Sequence, residues 1–229
     1  MDQPTQSYRN RLLQLLPRSD FDALHPHLKA VTLEYRQPLF EANQPLRSVY
    51  FPVTGVASLV NTMADGSASE VGTIGNEGIV GLPILLGDEL TPMSAYVQVP
   101  GTGLHLRAEI LRSALQRSAG MRTVMLHYAH AFFDQVAQSA ACNHFHPIEQ
   151  RCCRWLLMTH DRVQSDQFLL TQEFLGMMLA DRCRSSIAKS SKVVRANAMP
   201  SASGNSTGYQ ALPPAHMPEC SKVCLRVSK

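Results

Sequence analysis

No cysteine precedes Cys142, and no Lys or Arg falls between Glu70 and His105. Each absence removes a class of chemistry. An iron–sulfur cluster ligated from the first half of the chain has no thiolates there to hold it. The six cysteines (142, 152, 153, 183, 220 and 224) all lie in the second half, and two are adjacent. That is not the spacing of a disulfide scaffold, and free thiols fit a reducing compartment. The stretch without cations holds Glu70, Glu77, Asp88 and Glu89 instead. A buried phosphate there would meet no countercharge. The N-terminus is polar, and no run reaches the ~18 apolar residues of a membrane span, so a soluble cytoplasmic protein with no membrane partner is expected. Enzyme signatures are missing too. The two H-x-H pairs, His25 with His27 and His144 with His146, flank the strand-rich region, and only His105 lies within it. That arrangement does not supply a cupin metal set, and no nucleophile motif or P-loop occurs. The expectation is a non-enzyme without metal or cofactor. Cys142, His144 and His146, spaced by two, would splay around a helix rather than converge.

The sequence contains 229 residues, 45% hydrophobic and 17% charged, enough to bury a core. The net charge is +3, but residues from Asp181 onward carry eight Lys or Arg against two acidic residues, leaving residues 1–180 at −3. A basic C-terminal end suits a polyanion, or is simply a solvated basic tail. Near the N-terminus, residues 7–16 pattern as a short helix ended by Pro17, and Ser19 offers a cap to a second. From about Ala30, short β-branched and aromatic runs follow one another, punctuated by Gly, Pro, Asn and Asp. Asp65-Gly66 is a hairpin signal. This predicts an antiparallel sandwich or jelly roll. Within it, "VGTIGNEGIVGLP" places glycines at 72, 75, 78 and 81. They serve either as bends and close approaches in the sheet or as a phosphate grip.

From Ser118 to His144 there is no Pro and the only Gly is Gly120, which predicts a helix of about seven turns. Met121, Met125, Tyr128, Phe132 and Val136 recur along one face, and the length suggests that this face packs on a second copy of the chain. The alternative is that it covers only its own sheet. A further helix starts after Pro147, with Trp155, Leu156 and Leu157 inward. Then "LLTQEFLGMMLADRCRSSIAKS" offers Thr171 as an N-cap, an apolar face at Phe174, Leu175, Met178 and Leu179, a small Gly176 at mid-helix, and a break before a basic segment. This is a helix-turn-helix pattern. Thr171 and Gln172 are placed to contact a phosphate, Arg182 and Arg184 to grip guanine edges, and Ser185 and Ser186 to contact phosphate or base.

The order roll, long helix, helix-turn-helix resembles the Crp/Fnr family of bacterial transcription regulators. "GNEGIVGLPILLG", "QSAACNHFHPIEQRCCRWLLMTHDRV" and "FLLTQEFLGMMLADR" resemble a subgroup distinct from the cyclic-AMP receptor itself. The resemblance covers roughly residues 10–187. It implies an α+β chain: a sensor β-roll with N-terminal helices (1–115), a dimerisation helix (116–146), a helix-turn-helix region (147–195), and a C-terminal tail (196–229). The implied partners are double-stranded DNA, a second copy, RNA polymerase and a small-molecule effector of unknown identity.

The resemblance also locates the effector pocket at Gly78, Gly81, Leu82 and Met93. Where the nucleotide-binding members carry Gly-Glu and a later Arg, this chain has Gly81-Leu82 and Met93. Cyclic AMP is therefore not the expected ligand. The chain departs from the family's pattern at "R-C-R-S-S-I", where Cys183 reads as inserted, and at the following tail, which has four prolines and no alternating pattern. The tail, residues 196–229, reads as linker-like or disordered, with the wing incomplete or missing, as a frameshift would leave it. Two functions follow: a dimeric DNA-binding regulator, or a sensor and dimerisation module with impaired DNA binding.

Overall fold

The computed structural model describes residues 10–163 and three strand segments beyond them, 169–171, 193–198 and 223–227. The chain opens with two short helices, α1 (Arg11–Gln14) and α2 (Arg18–Leu24). Asn10, not a serine, caps α1 by accepting from the Leu13 amide, and Ser19 lies inside α2, which follows directly on Pro17. The amide of the fully buried Asn10 donates to the carbonyls of Pro52 and Gly78, at 2.9 and 2.8 Å. The N-terminal helices are thereby tied to the glycine-rich loop.

Seven strands follow: β1 (Lys29–Leu33), β2 (Pro38–Phe40), β3 (Ser48–Pro52), β4 (Val56–Thr62), β5 (Ala68–Ile74), then helix α3 (Leu82–Leu86), β6 (Met93–Val99) and β7 (Gly101–Arg107). They form two antiparallel sheets, β1-β7-β3 and β2-β6-β4-β5, as the strand pattern predicts. The Asp65-Gly66 turn joins β4 to β5, with Gly66 at φ 80° and the Ser67 amide donating to the Asp65 carboxylate. Helices α4 (Ala108–Arg117), α5 (Ala119–Phe145) and α6 (Ile148–Val163) complete the well-packed part. Ser118 caps α5 through the Met121 amide, which fixes its start where the sequence places it.

Two apolar clusters hold these layers. The first joins Leu12, Leu13 and Leu24 of the N-terminal helices to Val49, Phe51 and Leu106 of one sheet and to Leu111, Met121 and Met125 of α4 and α5. The second lies inside the roll, around Leu33, Ala57, Leu59, Ile74, Val80 and Val97, and receives Phe132 of α5. Each fully buried side chain of this size contributes ~1.5–3 kcal/mol.

The long helix corrects one expectation. Met121 and Met125 are each 1% exposed and belong to the first cluster; Phe132 belongs to the second, and Tyr128 and Val136 pack against it. The face expected to pair with a second copy is instead spent on the chain's own roll. The reason is that α5 is apolar on two sides, and the bulkier Met, Tyr and Phe side chains fill the space beside the sheet. The opposite side leaves Leu126 and Phe133 exposed, at 43% and 66%. They fall on the outward stripe Leu126, His130, Phe133, Ala137, Ala140 and His144, alternating steps of four and three. That spacing is the heptad spacing of a helix pair.

Beyond α6, β8 (Leu169–Thr171), β9 (Val193–Ala198) and β10 (Val223–Val227) form a third antiparallel sheet in the order β10-β9-β8. The sequence from residue 196 offers no alternating pattern, yet two short aliphatic runs pair here through their backbones.

The glycine run has a spatial reason. A Cβ on Gly78 would sit 2.1 Å from Tyr128 Oη and 2.4 Å from Cζ of the same ring. A Cβ on Gly75 would meet three carbons of the Arg162 side chain at 2.7 to 2.9 Å, and one on Gly72 would meet Phe132 at 2.9 Å. The run is the seat on which α5 and α6 rest. Gly78→Ala is expected to lower stability by about 1–3 kcal/mol through overpacking. Urea denaturation reads the loss, and Tyr128→Leu in the same chain should recover part of it. Equal losses with and without Tyr128→Leu would exclude the contact as the cause.

Candidate functional site: the junction between the roll and helices α5 and α6

The residues matched to the effector pocket come first. Gly81 precedes α3 with φ 122°, and Val49 fills the space beside it. Leu82 starts α3 and is packed against both apolar clusters, while Met93 opens β6 and packs on the second. Gly78 is covered by the Tyr128 ring. Leu82, Met93 and Tyr128 all pack apolar surface against the second cluster. The run free of Lys and Arg extends from Ser48 to Leu106, so strands β3 to β6 bring no cation to it; the cationic residues of the roll's strands are Lys29, which opens β1, and Arg107, which ends β7. This environment opposes a buried phosphate.

The polar chemistry gathers a few residues away. On α6, Cys152, Trp155, Leu156, Thr159 and Arg162 recur at helical spacing and are all buried. This face brings two polar anchors to the roll. Arg162 Nε donates to Glu77 Oε1 at 2.8 Å, with both side chains only about a tenth exposed (10% and 11%). The same guanidinium donates to Gln135 Oε1 of α5 at 2.6 Å and to the Met158 carbonyl at 2.8 Å. Gln135 in turn donates to the Thr73 carbonyl of β5 at 3.0 Å. Glu77 also accepts from the Gly75 amide, 3.1 Å from each oxygen. One ion pair thus joins the glycine loop, β5, α5 and α6. Removing one partner of a buried pair costs about 3–5 kcal/mol, because the other charge stays behind.

The second anchor is Glu70. Trp155 Nε1 donates to its Oε1 at 2.8 Å, and the Ser58 hydroxyl bonds its other oxygen. Burial pushes the Glu70 carboxyl up to about 8, against the opposing pull of the Ser58 and Trp155 hydrogen bonds and the Arg162 charge. Beside it lies a cavity of about 50 Å³, lined by β5 on one side and by Ser139, Cys142 and Asn143 of α5 and Arg151, Arg154, Trp155 and Met158 of α6 on the other.

Sequence reasoning missed this site. Glu70 and Glu77 stood out only as acidic residues, and Trp155 only as an inward side chain. The available signal was the shared face of Trp155 and Arg162, seven residues apart on one helix. Among the predicted DNA contacts, Thr171 closes β8; Gln172, Arg182, Arg184, Ser185 and Ser186 lie outside the described residues. Cys142 is buried against Gln138, His144 is exposed beside Phe145, and His146 ends α5, so the three point to different surroundings. Among the described residues no group of three His, Cys, Asp or Glu side chains could hold a metal ion, and no helix is long and apolar enough to cross a membrane.

The Glu70 environment sets a pH dependence. The folded chain keeps a proton that the unfolded chain releases above about 4.5, so this group's contribution to stability falls as pH rises from about 4.5 to about 8 and then levels off. Glu70→Gln preserves both hydrogen-bond partners without the charge. The variant should gain on the wild type as pH increases, by up to about 1.4 kcal/mol per pH unit. Urea midpoints near pH 6 and near pH 9 measure the gap; a gap that does not widen with pH would contradict the assignment.

Comparisons with known proteins agree with this architecture. Residues 30–118 match the cyclic nucleotide-binding domain family. No curated protein matches the chain. Three solved structures share the fold. A putative Crp/Fnr-family transcriptional regulator from Eubacterium rectale aligns with a TM-score of 0.61 at 13% identity, covering 75% of this chain and 80% of that one. FixK2 from Bradyrhizobium japonicum aligns at 0.58 with 12% identity over 67% of this chain and 77% of that one. The global regulator CLP of Xanthomonas campestris, described as responsive to c-di-GMP, aligns at 0.57 with 13% identity over 72% and 85%. The chain thus carries a cyclic nucleotide-binding-type domain at residues 30–118 and has the fold of the Crp/Fnr regulators.

Proposed function

We infer that this chain is a dimeric DNA-binding transcription regulator whose roll senses something other than cyclic AMP. The observation that carries the reading is the seating of α5 and α6 on the glycine run: the roll is built to hold the helix that leads toward the basic C-terminal segment. The apolar Leu82 and Met93, the Tyr128 ring over Gly78 and the absence of Lys and Arg from strands β2 to β6 argue against a cyclic phosphate. A titration of the chain with cyclic AMP should give no saturable signal.

Dimerisation is assigned to the outward stripe of α5, from Leu126 through Phe133 to His144, rather than to the buried Met121–Val136 face. Small Ala137 and Ala140 allow close approach of two helices. DNA contact is assigned to Thr171, Gln172, Arg182, Arg184, Ser185 and Ser186. The solved structures of like fold include proteins described as transcriptional regulators, which supports the assignment.

One experiment tests both parts. Phe133→Glu should convert the chain to a monomer in analytical ultracentrifugation while leaving its fold intact. The same change should abolish gel-shift binding to sequences selected from genomic DNA. Replacing Arg182 and Arg184 by Ala should reduce affinity at least roughly tenfold while preserving the dimer. A wild-type chain that is monomeric, or DNA affinity unchanged by the arginine substitutions, would overturn the reading.

A further inference from the structure

The junction cavity contains more positive charge than its surroundings neutralise. Arg154 donates to Ser139 Oγ at 3.1 Å, and Arg151 reaches only Asn143 Oδ1, at 3.4 Å. Neither has a carboxylate within ion-pair distance among the described residues, in contrast to Arg162, which is paired with Glu77. Arg151 Nε is buried without a hydrogen-bond partner. The hydroxyl of Thr73, a residue 1% exposed that lines the same cavity, is also buried and unpartnered. A buried donor left unpaired costs about 1–3 kcal/mol, so one on each side of the same cavity indicates a missing acceptor.

Among the described residues the one carboxyl lining the cavity is Glu70, and it is already engaged by Trp155 and Ser58. Burial keeps it largely protonated near neutral pH, so it does not neutralise the arginines. Desolvation also pulls the Arg154 pKa below its ordinary value, with Arg162 adding to the effect and Cys142 opposing it. A guanidinium in this position gains from any anion that reaches it. The volume of about 50 Å³ exceeds the ~10–15 Å³ that one water needs and has room for a small ion.

We propose that the cavity between β5, α5 and α6 binds a small oxyanion, a carboxylate or an inorganic phosphate-type ion, held by Arg151, Arg154 and the hydroxyl of Thr73. Such a ligand touches the roll through Thr73 and α6 through both arginines, so it braces α6 on the roll. It is an effector site separate from the place occupied by Leu82, Met93 and Tyr128. The binding claim stands on the junction alone and does not depend on DNA recognition.

The test uses the full chain without DNA. Thermal unfolding is followed while inorganic phosphate or acetate replaces chloride at constant ionic strength. The wild type should show a saturable rise, about 5 °C at a hundredfold excess over Kd, with at least one of the two ions. The ion that saturates at the lower concentration identifies which oxyanion geometry the site prefers. Arg154→Gln and Arg151→Gln should each raise the apparent Kd at least roughly tenfold. Should Arg154→Gln fail to fold, as judged by circular dichroism, Arg151→Gln carries the comparison. A response that never saturates, or one that the arginine substitutions leave unchanged, overturns the proposal without touching the regulator reading.

Discussion

The buried pair between Glu77 and Arg162 is the constraint on which the junction depends. Glu77 sits in the glycine loop and closes on the Gly75 amide; Arg162 sits near the end of α6, 85 residues away in sequence. The guanidinium also reaches Gln135 on α5. For that geometry to form, the Arg162 stem must pass over Gly75, and Tyr128 must lie over Gly78, where no side chain could coexist. Glycine at these positions is thus a packing requirement. A charge pair buried this far contributes more by fixing one arrangement than by net attraction, because desolvation offsets much of the Coulomb term.

Holding α6 in place is the mechanical basis of the proposed function. The helix bears on the roll through Trp155 and Glu70 at its middle and through Arg162 and Glu77 near its C-terminal end, and it leads on to β8 and the basic segment. The position of α6 therefore depends on both anchors. Both anchors rest on a glutamate of the roll, Glu70 in one and Glu77 in the other. Leu82, Met93 and Tyr128 pack apolar surface against the second cluster, and the polar contacts between the roll and the helices gather at the junction.

Much of the architecture was legible because it rests on local patterns. The strand runs, the Asp65-Gly66 hairpin and the Ser118 start of α5 are written in a few adjacent residues each. The face of α5 was not, because both its sides are apolar and periodicity cannot tell which one meets the sheet. Burial decides it: Met121 and Phe132 go inward, Leu126 and Phe133 outward. The anchors escaped for a different reason. Glu70 with Trp155 and Glu77 with Arg162 are each separated by 85 residues, and no short-range spacing connects them. The paired strands at 193–198 and 223–227 also lacked a signal, since their short aliphatic runs are far apart in the chain.

A double-mutant cycle across the ion pair measures the central claim most directly, with Glu77→Gln, Arg162→Met and the combination compared by urea denaturation. A coupling energy of about 2–3 kcal/mol, with the double variant less destabilised than the sum of the singles, is the predicted result. Additive losses, with coupling near zero, would contradict the claim that this pair locks the helices to the roll.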